Sequence, residues 1–137
     1  MARSYADKLG AELAMVAKHR VSATKVEAMN VIGDVEGRNV LLVDDMTETA
    51  GTLCAAAKIL EKHGAKSIYA GVSHGVLGDM GRKRIAESAI KELITSDSVP
   101  QAYGEKVTTV SIAGLLGDAI SRIHDGKSVT SLFDIDA

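Results

Sequence analysis

The chain has 137 residues, a formal net charge of −2 and 46% hydrophobic residues. That length suffices for one domain with a real core, and the near-neutral balance without a basic block argues against a nucleic-acid partner. Three Tyr, one Phe and no Trp supply no base-stacking platform.

The single cysteine, Cys54, allows no disulfide within the chain and fits a reducing, cytoplasmic setting. No apolar run approaches membrane-spanning length, so no membrane partner is expected. Arg3, Asp7 and Lys8 interrupt any signal peptide. Residues 4–9 predict a helix with Tyr5, Ala6 and Leu9 on one face and Gly10 as its stop. Residues 13–16 predict a short strand. A chain that starts this close to its first helix suggests a piece of a larger natural sequence. Lys18-His19-Arg20 follows, and residues 21–28 are polar with little periodicity, which predicts a mobile loop. Two cations on such a loop could close on a phosphoryl group in its transition state; an ordinary solvated cationic turn fits the same residues. Residues 30–35 predict extended chain bounded by turns at Gly33-Asp34 and Glu36-Gly37.

The centre of the chain is residues 40–52. Val40 to Val43 form an unbroken apolar run, the pattern of a strand buried on both faces, and Asp44 and Asp45 end it. Met46-Thr47-Glu48-Thr49-Ala50-Gly51-Thr52 reads as a loop leading into a helix whose apolar face is Leu53, Ala56, Ala57 and Leu60. Free N–H groups at such a helix start, with the Thr hydroxyls beside them, make a phosphate seat. The acidic pair suits sugar hydroxyls, directly or through hydrated Mg2+. Together they point to a phosphorylated sugar, although two acids ending a strand and a Thr capping a helix is the plainer reading of each part.

The helix is expected to end at His63-Gly64. Residues 67–72 predict a strand, followed by Ser73-His74-Gly75 at its carboxyl end, where open α/β sheets place ligands. Residues 76–81 read as a loop and residues 82–88 as a short helix with Arg82, Lys83 and Arg84 on a solvated face. Strands are expected at residues 92–95 and 106–112. Ile112, Leu115, Leu116, Ala119, Ile120 and Ile123 give the strongest helical pattern in the chain, expected to pack on the sheet or at a subunit contact and to stop at Gly126. The tail holds Ser128, Val129, Thr130, Ser131, Leu132 and Phe133, with Phe133 readable as a packed anchor. Alternating strands and helices predict an α/β fold in three layers, a mainly parallel sheet with helices on both faces, in a single domain spanning residues 1–137. Neither a Walker A string, a GxGxxG nor a zinc-spaced Cys/His cluster is present.

The string from Asp44 to Thr52 resembles the phosphoribosyl-pyrophosphate (PRPP) binding loop of the type I phosphoribosyltransferase fold. Its two aspartates, Met46 and Thr49-Ala50-Gly51-Thr52 look most like ribose-phosphate pyrophosphokinases, also called PRPP synthetases. Lys18-x-Arg20, Ser73-His74-Gly75, Ser96-Asp97-Ser98-Val99-Pro100 and the tail match that family in the expected order. The resemblance implies transfer of pyrophosphate from ATP to ribose 5-phosphate. Lys18 and Arg20 would be catalytic, stabilising the transferred group. Asp44, Asp45, Glu48, Thr49, Ala50, Gly51 and Thr52 would bind ribose 5-phosphate or PRPP, with Asp44 and Asp45 also serving Mg2+ or its water. His74 would line the substrate, and Ser128, Thr130 and Phe133 would contribute to an allosteric site between subunits of a homo-oligomer. Glu48 departs from the family, where Asp is usual, and His19 stands where Arg is common. Family members are about twice this length and have two similar halves. This chain looks like the C-terminal half, so the N-terminal half, or a subunit supplying the ATP site, would be needed for activity. A free-standing phosphoribosyltransferase, a non-catalytic associated subunit and a signalling receiver domain are the alternatives. Receivers also carry Val-Leu-Leu-Val-Asp-Asp, but near the amino terminus and without the Thr49-Ala50-Gly51-Thr52 loop.

Overall fold

The longest strands are the two that carry the candidate site. Asn39–Thr47 (β3) and Ser67–Gly75 (β4) pair in parallel without a register break, from Asn39 opposite Ser67 to Thr47 opposite Gly75. The structure is a computed structural model that describes residues 1–19, 28–100 and 104–133. Before β3 come helix α1 (Ala2–Leu9), strand β1 (Met15–His19) and strand β2 (Ala28–Ile32). After it come α2 (Gly51–Lys62), β4, α3 (Asp79–Glu87), β5 (Ile90–Ser96), β6 (Val107–Val110) and α4 (Ala113–His124), then a 3-10 turn at Thr130–Leu132. β3, β4, β5 and β6 form a parallel sheet in that order, flanked by helices. β1 and β2 pair antiparallel as a separate ribbon.

The core lies on the side of the sheet covered by α2 and α3. Leu53, Ala57 and Leu60 of α2 and Ile85 of α3 are buried with Ile68, Ala70 and Val72 of β4 and Ile90 and Leu93 of β5. Ile68, Ala70 and Val72 of β4 fall two apart, as a strand with one packed face requires. The predicted apolar face of α2 is the observed one. Its end is also as predicted: Gly64 takes φ 80°, and His63 Nδ1 meets the Ile59 carbonyl oxygen at 2.8 Å. Gly10 and Gly126 likewise stop α1 and α4 in left-handed conformations.

Several expectations need correction. β3 is not buried on both faces: among the described residues it has a strand neighbour on one side only, and Leu41 is exposed. Its other edge borders a groove of about 640 Å3. Leu13, Met15 and Val16 form the far wall of that groove and Tyr5 and Leu9 of α1 one end. β3 also runs past Val43, so Asp44 and Asp45 lie inside the strand, because pairing with β4 continues to its end. Ser73, His74 and Gly75 extend β4 for the same reason. The segment read as a loop at 76–81 already holds the first turn of α3, with Gly78 as its N-cap. α4 has the predicted pattern, yet Leu115, Leu116, Ile120 and Ile123 are exposed and no residue of the helix is buried. Phe133 is 77% exposed and anchors nothing among the described residues. The region read as a mobile loop, at 21–28, falls almost wholly outside the described residues, as does Arg20. The side chain of Lys18 lies outside them too, although its backbone belongs to β1.

Candidate functional site

The carboxyl end of β3, the loop that follows it and the start of α2 enclose one small cavity. It measures about 150 Å3 and is lined by Asp44, Met46, Thr47, Glu48, Thr49, Ala50, Gly51, Thr52 and Leu53. Strand alternation separates the two acids. Asp44 and Met46 stand opposite Val72 and His74 on one face of the sheet, so Asp44 lines the cavity while Asp45 turns to the other face. Asp44 Oδ1 also accepts the backbone N–H of Asp45 at 3.0 Å, which fixes the Asp44 carboxylate in place. Asp44 and His74 thus share a face, a relation the sequence spacing does not reveal.

The chain enters α2 through an unusual residue. Ala50, the N-cap, has φ 53° and is the sole non-glycine residue with positive φ among those described. A left-handed alanine costs about 1 kcal/mol or more, and such strain concentrates where backbone meets a ligand. No side chain caps the helix, so neither Thr49 nor Thr52 fills the plain capping role. The N–H groups of Gly51, Thr52 and Leu53 have no partner among the described residues; the first satisfied one is that of Cys54, bonded to the Ala50 carbonyl oxygen at 3.0 Å. Three convergent donors at the positive end of a helix suit an anion.

α3 supports this loop from below. Arg84 Nη1 donates to the Thr49 carbonyl oxygen at 3.0 Å. Arg82 donates to the Leu77 carbonyl oxygen at 2.7 Å and to Asp79 at 2.6 Å. The expected solvated face of Arg82, Lys83 and Arg84 is therefore two-thirds engaged with other elements or caps, and only Lys83, 3.9 Å from Glu87, keeps that role. Sequence spacing could not show this, because the partner carbonyls belong to loops brought in by folding.

His74 is held from β5. Its Nδ1 lies 2.7 Å from Ser98 Oγ, Ser98 Oγ lies 2.9 Å from Ser96 Oγ, and Ser96 Oγ donates to the Ser73 carbonyl oxygen at 2.5 Å. Ser96 has one proton, and the carbonyl can only accept it. The His74 ring is thereby tied through Ser98 and Ser96 to the backbone of its own strand. Asp97, between these serines, is a structural fastener: its carboxylate accepts the N–H of Ile112 at 2.9 Å and the hydroxyl of Ser111 at 2.5 Å. Those bonds hold its carboxyl below the usual range. They tie the end of β5 to the start of α4.

Cys54 packs in α2 as expected. Burial pushes its thiol up, against a smaller opposing effect of a hydrogen bond with Ser88. Among the described residues no group of three or more His, Cys, Asp or Glu side chains converges as a metal site, and no helix is long and apolar enough to cross a membrane. In the tail, Arg122 Nη1 donates to the Ser128 carbonyl oxygen and to Ser131 Oγ, and Ser128 Oγ bonds Thr130 Oγ1 at 3.0 Å. Ser128 and Thr130 are thus close together, and Phe133 projects into solvent.

The chain matches the family described as phosphoribosyl synthetase-associated domain over residues 7–134. It belongs to that family. The receiver-domain alternative falls with this membership. Among curated relatives of this phosphoribosyl synthetase-associated domain, the ribose-phosphate pyrophosphokinase of Chlorobaculum tepidum is 46% identical over 136 residues, covering 98% of this chain and 42% of the relative. That of Caldanaerobacter subterraneus subsp. tengcongensis is 47% identical over 135 residues, covering 96% and 43%. The crystal structure of phosphoribosylpyrophosphate synthetase from Mycobacterium smegmatis superposes with a TM-score of 0.83 at 34% identity, over 90% of this chain and 41% of that one. The chain therefore spans less than half the length of the relatives it matches.

Proposed function

We propose that this chain is the ribose 5-phosphate-binding part of a ribose-phosphate pyrophosphokinase, corresponding to the C-terminal half of the longer enzyme. The complete reaction moves a pyrophosphoryl group from ATP to the 1-hydroxyl of ribose 5-phosphate and yields PRPP. The observation that carries the reading is the juxtaposition, in one cavity, of three free helix N–H groups with the Asp44 carboxylate. The donors suit the 5-phosphate, and the carboxylate, a strand's end away, suits the ribose hydroxyls. Thr49 and Thr52 hydroxyls add donors at the rim. Asp44 lines this cavity and Asp45 stands across the strand from it, so we assign the ribose contact first to Asp44.

Mg2+ fits this donor set in a limited way. The ion is commonly held by one or two carboxylates together with water and substrate oxygens, and Asp44 supplies one carboxylate at the cavity, while Asp45 lies on the other face of the strand. Bound there, it would add positive charge near the transferred group. Lys18 and Arg20, at and after the end of β1, are assigned to neutralise charge developing on that group. The ATP pocket and further metal contacts belong to the rest of the enzyme, so this chain by itself binds ribose 5-phosphate weakly and turns over little or nothing. The groove between β1 and the open edge of β3, and the bare apolar face of α4, are surfaces the remaining polypeptide or a neighbouring subunit of a homo-oligomer would cover. Ser128, Thr130 and Phe133 are assigned to an allosteric site between such subunits. The reading places the protein in the cytoplasm, in nucleotide biosynthesis.

Isothermal titration with ribose 5-phosphate and Mg2+ tests the site. Binding weakened about tenfold or more by Thr49→Val and by Asp44→Asn, and less by Asp45→Asn, supports it. A well-folded chain that shows no binding even at millimolar sugar phosphate would count against a seat formed by these residues alone.

A further inference from the structure

α3 braces the loop at a point where the backbone is under strain. Thr49 passes its carbonyl oxygen to Arg84 Nη1 at 3.0 Å, and the next residue is the left-handed Ala50 at φ 53°. Gly51 follows, close enough that a side-chain carbon there would lie 3.3 Å from the same Nη1. We propose that Arg84 is a positioning residue for the anion seat. Its bond to Thr49 keeps Ala50 left-handed and so keeps the N–H groups of Gly51, Thr52 and Leu53 aimed into the loop cavity. The inference rests on the phosphate-seat reading above and names the group that maintains it.

An alanine at this φ relaxes most directly by rotation of the peptide plane between Thr49 and Ala50. That rotation changes ψ of Thr49 and φ of Ala50 together and, with ψ of Ala50 at 15°, brings Ala50 to negative φ in the bridge region. It also swings the Thr49 carbonyl away from α3. Arg84 opposes the rotation because its guanidinium loses an acceptor when the plane turns, and a bond to a charged donor is among the stronger ones. Arg84 is free for this role because the other arginine of α3, Arg82, is committed to Leu77 and Asp79. Its distance from Gly51 leaves room for a second possibility, direct contact with the bound anion, which the test separates.

The test is NMR of the full chain, with inorganic phosphate and ribose 5-phosphate as probes. In the unsubstituted chain, Ala50 shows the intense intraresidue cross-peak between amide and α protons that positive φ produces. Arg84→Met retains the long apolar stem and removes the donors. It is expected to lose that cross-peak, to leave the rest of the spectrum in place, and to weaken phosphate binding about tenfold. Adding Ala50→Gly, which makes left-handed backbone inexpensive, is expected to return affinity to within about twofold of the unsubstituted chain. Retention of the Ala50 cross-peak in Arg84→Met overturns the proposal. So does a double variant as weak as the single one, since that places the guanidinium on the anion itself. If the unsubstituted chain binds neither probe while Arg84→Met still abolishes the cross-peak, the hold of Arg84 on Ala50 stands and the sugar-phosphate reading fails.

Discussion

Gly81 of α3 sits directly against the carbonyl oxygen of Glu48, so closely that a side-chain carbon on Gly81 would overlap it, with Leu77 Cδ2 crowding the same space at 2.9 Å. The binding loop and α3 therefore touch through backbone, and the loop's path depends on a residue without a side chain. Gly81→Val is expected to destabilise the fold by about 1–3 kcal/mol through overpacking, measured by urea unfolding. It should also weaken ribose 5-phosphate binding, since the loop must shift to make room.

The two amphipathic helices should respond very differently to truncation. Leu60 of α2 is buried among the core residues, whereas Ile123 of α4 is 68% exposed. Leu60→Ala is expected to cost about 2–5 kcal/mol and Ile123→Ala less than about 0.5 kcal/mol in the same unfolding assay on this chain. A large loss from Ile123→Ala would show that α4 is covered in solution by another copy.

Asp97 predicts an acid-sensitive attachment of α4. Its folded-state pKa is depressed below the ordinary 3.8, so the unfolded chain takes up its proton first as pH falls. The contribution is fully present above the unfolded value and is lost as pH drops through the folded one. Urea midpoints taken from about pH 5 to about pH 2.5 should fall less steeply in Asp97→Asn than in the unsubstituted chain. An unchanged slope would remove Asp97 from the link between β5 and α4.

Cys54 should be a poor nucleophile at neutral pH. Burial raises its thiol pKa above the ordinary 9.0, and the thiolate is the reactive form. Alkylation by iodoacetamide is expected to be slow at pH 7 in the native chain and fast after unfolding in urea. Fast native labelling would mean that α2 opens locally.

Much of the architecture was legible because it follows from local chemistry. The apolar face of α2, its glycine stop and the apolar run from Val40 to Val43 all follow from residue spacing over a few positions. The loop from Asp44 to Thr52 was legible as a binding loop because its acids, hydroxyls and glycine occur in one short stretch. The boundaries of β3, β4 and α3 were less so. Asp44, Asp45, Ser73 and His74 are poor strand formers, and a strand extends through them only because a parallel neighbour pairs with each side of the junction.

Fold class, the order of elements and the family are readable along the chain, since hydrophobic period and a contiguous loop string depend only on neighbouring residues. Tertiary structure alone decided that Asp44 rather than Asp45 lines the cavity, that His74 shares the face of Asp44, that Arg84 grips Thr49 across 35 positions, and that the most regular helix, α4, buries nothing within this chain. Each of these is a relation between segments. Strand alternation becomes a choice of face only when one face is packed, and an apolar stripe becomes a core only when something in the same chain lies against it.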